Sequence, residues 1–262
     1  MAKRFTIFII GSTAALTLSS VMRAQNQPWN NAGLAQSPNQ QQQTGPPAAP
    51  APRRDLSGIW DAGGAGIGAR GYMTAPLTPW GEALGKTHKS GDGARMVPVE
   101  EINDPLSTMG DPEGFPRNLL FELRPFQIVQ TPNQVLMLYM FEKRWRVIWT
   151  DGRQLPKDPN PTWMGYSVGH WEKDTLVVES NGFNGKAWLS FQGNPITDAL
   201  HVTERIRRRD FGHMDIQITI DDPKAYTKPW TAELHPELIP DMELLEFVCN
   251  ENERDLRHLV GK

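Results

Sequence analysis

The stretch Gly165 to Glu179, GYSVGHWEKDTLVVE, admits two readings, and the choice between them decides the fold. Its first five residues fit G-x-S-x-G, the pattern around the nucleophilic serine of many hydrolases. That pattern works only where a buried strand enters the serine and a helix leaves it directly. Here Pro161-Thr-Trp-Met164 precedes Ser167, and Glu172-Lys173-Asp174 leads straight into the β-branched run Thr175 to Glu179. No helix can start there, and strand alternation puts Ser167 on the opposite face from Tyr166 and Val168. The stretch reads as two strands, Tyr166 to Trp171 and Thr175 to Glu179, joined by a tight turn.

The same signals recur on both sides. Leu56 to Trp60 opens the series, and Phe126 to Gln130 and Val135 to Glu142 flank the turn cluster Pro132-Asn133-Gln134. Trp145, Val147 and Trp149 alternate with Arg144 and Arg146 before Asp151-Gly152 ends that strand. Leu200 to Arg208 and Met214 to Ile220 bracket a turn around Asp210-Phe211-Gly212, Trp230 to Leu234 alternates again, and Leu244 to Cys249 closes the set. Short strands at this spacing indicate a mainly antiparallel all-β fold, a single meander barrel or a strongly curved sheet. Helical signals are few. Thr78-Pro79 starts one helix ending near Gly85, and residues 89–118, rich in Gly, Pro and Asp, read as a long loop crossing the barrel.

Ahead of this unit lie two segments of other composition. Lys3 and Arg4 precede an uncharged apolar run from Phe5 to Val21, and Arg23-Ala24-Gln25 offers a cleavage point after Ala24. This is a secretory signal pattern, too short for an anchor and lacking a basic stop-transfer cluster. The expected destination is periplasmic or extracellular, without stable membrane insertion after cleavage. Residues 25–54 are dominated by Gln, Asn, Pro and Ala, a composition that cannot bury enough apolar area to order itself, so a disordered tether is expected. Residues 55–262 then form one β-rich domain.

Losing Lys3, Arg4 and Arg23 and no acid takes the formal net charge from −3 to −6. That balance disfavours nucleic acid and anionic membranes as partners, since both call for a basic surface. Cys249 is the only cysteine, so no intrachain disulfide can form, and its apolar neighbours suit a buried small hydrophobe. The run Gly66-Ile-Gly68-Ala-Arg-Gly71 fits G-x-G-x-x-G, but Met73 to Pro79 holds two prolines where a phosphate-binding helix would run. No dinucleotide site and no other cofactor is expected. The histidines at 88, 170, 201, 213, 235 and 258 show no ligand-pair spacing, and His201 and His213 fall on the order of 30 Å apart along a hairpin. No metal site is expected.

Two groups of residues could carry function. In Asp198 to Arg207, Leu200, Val202, Glu204 and Ile206 share one strand face, and His201, Thr203, Arg205 and Arg207 share the other. An inward apolar face holds Glu204 among hydrophobes, needing a partner or a raised pKa; an inward charged face gives His201 and Arg205 a polar lumen. His201, Glu204 and Arg205 are thus the candidate acid/base set for a hydrolase, lyase or isomerase, with a structural Glu-Arg pair as the alternative. The arginines at 207, 208 and 209 suit a solvated strand end. Nine tryptophans is high for 262 residues. Trp60, Trp163, Trp171 and Trp230, with Tyr166, are the candidate lining of a cavity for an apolar, aromatic or sugar-like small molecule, although some must serve the core. A ligand-binding barrel is the leading functional expectation and the acid/base enzyme the second. Oligomeric state is not legible.

The motifs DLSGIW (55–60), PLTPWGEAL (76–84), TDGRQLPKDPNPTWMGYSVGHWEKDTLVVESNGFN (150–184), DALHVTERIRRRD (198–210) and IDDPKAYTKPWT (220–231) resemble a family of uncharacterised secreted proteins of soil and aquatic bacteria. The resemblance implies secretion and a single domain, and carries no activity. It also implies a loop cysteine before Gly114-Phe-Pro-Arg117, which this chain lacks, so any bridge from that loop to Cys249 is absent. Gly58-Ile59-Trp60 is similar to the G-x-W of the first lipocalin strand.

Overall fold

A computed structural model describes residues 54–61, 75–91, 96–120, 124–190 and 192–246. All fall in the second of two compact units, Thr44–Lys262. The signal segment, the tether as far as residue 53, the glycine run at 66–71 and Cys249 lie outside the described residues.

The elements follow in chain order as β1 (Gly58–Asp61), α1 (Pro79–Thr87), α2 (Pro105–Met109), α3 (Arg117–Leu120), β2 (Phe126–Gln130), β3 (Gln134–Tyr139), β4 (Trp145–Trp149), β5 (Tyr166–Glu172), β6 (Thr175–Asn181), β7 (His201–Arg208), β8 (Met214–Asp221), β9 (Trp230–Leu234) and β10 (Glu237–Leu238). The ten strands form one sheet in the order β10-β1-β2-β3-β4-β5-β6-β7-β8-β9, curled into a half-barrel. The all-β, lipocalin-like expectation holds. None of the described helices is long and apolar enough to cross a membrane.

Every pairing is antiparallel except β4 with β5, whose register Ile148 to Ser167 and Trp149 to Val168 is parallel. The loop at 150–165 carries the chain back to the start of β5, which a tight hairpin cannot do. β5 and β6 are joined by the two-residue turn Lys173-Asp174, with Lys173 in the left-handed region at φ 55°. At the end of the sheet, the chain after β9 is bonded on two sides. Met214 N donates to Pro236 O (3.0 Å) and Leu238 N to Gly212 O (2.8 Å), while β10 pairs with β1.

Two expectations shift. Residues 89–118 contain α2, the start of α3 and a 3-10 turn at Val99–Glu101, so the segment is partly helical. Asp104 explains α2: its side chain accepts from Leu106 N and Pro105 follows it. Of the strand expected over Leu244 to Cys249, residues 244–246 are not a strand and the rest lies outside the described residues; the last strand among the described residues is β10, too short to leave a period-2 signal.

The concave face carries the core, including Trp60, Phe126, Ile128, Met137, Ile148, Leu176, Val178, Val202, Ile206, Ile216, Ile218 and Leu234. On β4 the inward residues are Arg146 and Ile148, while Trp145 is 64 % exposed on the convex face. The alternation of arginine and tryptophan is real, but an arginine side of the strand faces the core.

Candidate functional site

The concave face holds a buried polar row with one residue from each of four adjacent strands. Arg146 comes from β4, Ser167 from β5, Ser180 from β6 and Glu204 from β7. Three strand spacings separate β4 from β7, about 14 Å in a flat sheet. Curvature and two long side chains close that gap, and the small serines between them leave room for the guanidinium to lie across β5 and β6. Arg146 Nε donates to Ser167 Oγ (3.0 Å), Nη1 to Glu204 Oε1 (3.0 Å), and Nη2 to Ser180 Oγ (2.9 Å) and Glu204 Oε2. Ser167 and Ser180 share a further hydrogen bond at 2.8 Å. The Phe115 ring covers the guanidinium, 3.7 Å from its centroid.

Arg146 is 2 % exposed and Glu204 fully buried, so this is a desolvated ion pair whose hydrogen bonds are all met internally. Burial alone would lower the Arg146 pKa; the charge and hydrogen bonds of Glu204 outweigh it and hold the guanidinium above its ordinary range. Burial also raises the neighbouring Tyr139 phenol, with Arg146 pulling the other way. Glu204 thus has the partner its setting demanded, and the structural pair anticipated for it is an Arg146 pair, 58 positions away in sequence. Ser167, the serine of G-x-S-x-G, is locked in this row and followed by strand.

The candidate acid/base set does not converge. Glu204 points into the core, whereas His201 and Arg205 project from the convex face of the same strand. Arg205 pairs there with Glu172 at 2.9 Å. The aromatic candidates do not converge either. Trp60 is fully buried with its indole N–H on Leu56 O (2.9 Å), and Trp230 is packed edge-on to Tyr226. Trp163 and Trp171 are partly buried against the core. Tyr166 stands apart on the convex side, where its hydroxyl accepts from Arg153 Nη1 (2.9 Å), and Arg153 lies 3.8 Å from the Trp149 ring. Among the described residues, no group of three or more His, Cys, Asp or Glu side chains could hold a metal ion.

A different set does meet. On the convex face of β6 to β9 lies a groove of about 350 Å³ lined by Thr175, Arg205, Arg207, Arg209, Gln217, Glu233 and the pair Asp215 and His235, with Ile216 and Leu234 also contributing. Alternation along β7 delivers the arginines: positions 205, 207 and 209 step along one face about 7 Å at a time. Arg208, between them, turns inward to Phe211 O and Asp55 O. Arg209 Nη1 donates to Asp215 Oδ1 (3.1 Å), which also lies 2.9 Å from His235 Nδ1, leaving Nε2 of that ring uncommitted to Asp215. Arg207 is exposed and makes no ion pair or hydrogen bond through its side chain with any described residue. Gln217 Nε2 holds Glu233 Oε1 at 3.2 Å on the opposite wall.

Of the arginines expected at a solvated strand end, 207 and 209 are exposed and line the groove, whereas Arg208 is buried, its guanidinium held by backbone carbonyls. The missed signal was Asp215 and His235, which only the β8 and β9 registers bring alongside. No protein-family model matches the chain, and no curated protein is significantly similar to it.

Proposed function

We propose that the protein is an exported small-molecule-binding module whose ligand surface is the arginine-lined groove on the convex face, and that its ligand is anionic. The observation that carries this is Arg207, an exposed guanidinium without a carboxylate partner among the described residues, centred in a row of three arginines beside a 350 Å³ hollow. An arginine offers five fixed N–H donors suited to carboxylate or phosphate. Arg205 and Arg209 are each paired with a carboxylate, Glu172 and Asp215, so Arg207 is the guanidinium of the row left to meet an anion. Of the aromatic candidates, Trp60 and Trp230 are packed in the core, and Tyr166 is engaged by Arg153 on the convex side.

Isothermal titration with inorganic phosphate at low ionic strength tests this reading. Saturable binding by the native protein, lost in Arg207→Gln, supports it. Absence of binding, or binding indifferent to Arg207→Gln, overturns it.

A further inference from the structure

The two walls of the groove differ in chemistry, and the difference points to a ligand class. We propose that the groove takes an anionic carbohydrate, a polyhydroxylated ring bearing one carboxylate or phosphate group. This rests on the binding role assigned to the groove above.

Along one wall, Arg205, Arg207 and Arg209 present guanidinium donors. Two are already committed in part, Arg205 to Glu172 and Arg209 to Asp215, which holds them in place and leaves Arg207 to receive the ligand's charge. Such a charge-assisted, two-point contact is the strongest polar interaction available at an exposed site. The other wall carries Glu233, held by Gln217; Arg207 itself is flanked by Thr175 from β6 on one side and by Asp215 from β8 on the other. A second anionic group placed against Glu233 would be repelled. A hydroxyl group would be welcomed, because a carboxylate accepts hydroxyl hydrogens and Gln217 and Thr175 both donate and accept. One anionic group at the arginine row and several hydroxyls toward Glu233 therefore match the groove, and a ligand with two separate anionic groups does not.

None of the lining residues is Trp, Tyr or Phe. A neutral sugar would lack the stacking platform that aromatic faces provide, so the anionic group must supply the anchor. The groove is open to solvent, and its volume of about 350 Å³ lies at the low end of the range of small-molecule sites.

The test is calorimetric titration of the full chain with glucuronate, glucose 6-phosphate, glucose and inorganic phosphate at low ionic strength. Glucuronate or glucose 6-phosphate is expected to bind about tenfold or more tighter than inorganic phosphate, with glucose weakest, and the better of the two identifies the anionic group. Arg207→Gln is expected to weaken both sugar acids and phosphate about tenfold or more. Glu233→Ala is expected to weaken the sugar acids severalfold while phosphate binding stays equal or improves. If phosphate binding needs Arg207 but neither sugar acid exceeds it, or Glu233→Ala leaves the sugar acids untouched, the carbohydrate assignment falls and the anion-binding role survives. If no probe binds, or none depends on Arg207, both fall.

Discussion

Arg146 and Glu204 sit three strands apart in the sheet and meet through two side-by-side N–H···O bonds beneath Ser167 and Ser180. The pair ties β4 to β7 across the concave face and so records the curl of the sheet in a single contact. Its energetic character is asymmetric. Removing one partner leaves a buried charge, which costs about 3–5 kcal/mol, whereas replacing both by apolar groups of similar size is often neutral. Denaturant unfolding of Arg146→Met, Glu204→Leu and the double variant is expected to show each single change destabilising by about that amount and the double change costing less than either. Additive losses would mean that the two residues do not act as a pair.

Ser167 belongs to this row and not to a nucleophile elbow. The Ser167→Ala variant removes a hydrogen bond to a buried charged group and is expected to lower stability by about 1–3 kcal/mol. A fluorophosphonate serine probe is expected to leave the native protein unlabelled. Stoichiometric labelling at Ser167 would contradict the buried assignment.

The fold also sets a response to alkali. Burial raises the pKa values of Tyr139 and Tyr226 above the ordinary 10.0. The folded state therefore favours the protonated phenols, a stabilisation fully present below pH 10 and lost as pH rises toward the folded-state values. Spectrophotometric titration is expected to show these two phenols ionising only as the protein unfolds, and Tyr139→Phe to flatten the alkaline part of the stability profile. Ionisation of all tyrosines near pH 10 with the fold intact would refute this.

Lys173 holds the first position of the β5–β6 turn at φ 55°, a conformation that costs an L-residue about 1–2 kcal/mol and costs glycine almost nothing. Part of that gain is offset by the greater freedom of glycine in the unfolded chain, so Lys173→Gly is expected to stabilise by up to about 1 kcal/mol. A loss of midpoint in thermal unfolding would show that the turn depends on the lysine side chain.

Much of this architecture is legible from local pattern alone. The Tyr166 to Glu179 hairpin, the β7–β8 hairpin and the Thr78-capped helix announce themselves because period-2 alternation, turn residues and N-caps are properties of neighbouring residues. The parallel β4–β5 pair, the two-residue β10 and the inward direction of Arg146 do not, because each is decided by contacts distant in sequence. Glu204 shows both sides of this. Its place on an apolar face is written in residues 200–206, so its need for a partner could be foreseen, while the partner's identity required the fold. The groove is illegible for the same reason: Arg207 and His235 are 28 positions apart and come to line one groove only through the β7–β8 and β8–β9 registers.

The claim that the ligand is taken on the convex face, and not inside the sheet, is tested most directly by nuclear magnetic resonance of the labelled protein titrated with glucuronate or phosphate. Amide and side-chain shifts at Arg205, Arg207, Arg209, Asp215 and His235 are expected to move together and saturate, while the interior indole signals of Trp60 and Trp230 stay fixed. Saturable movement of those two indoles with an unperturbed arginine row would contradict the account.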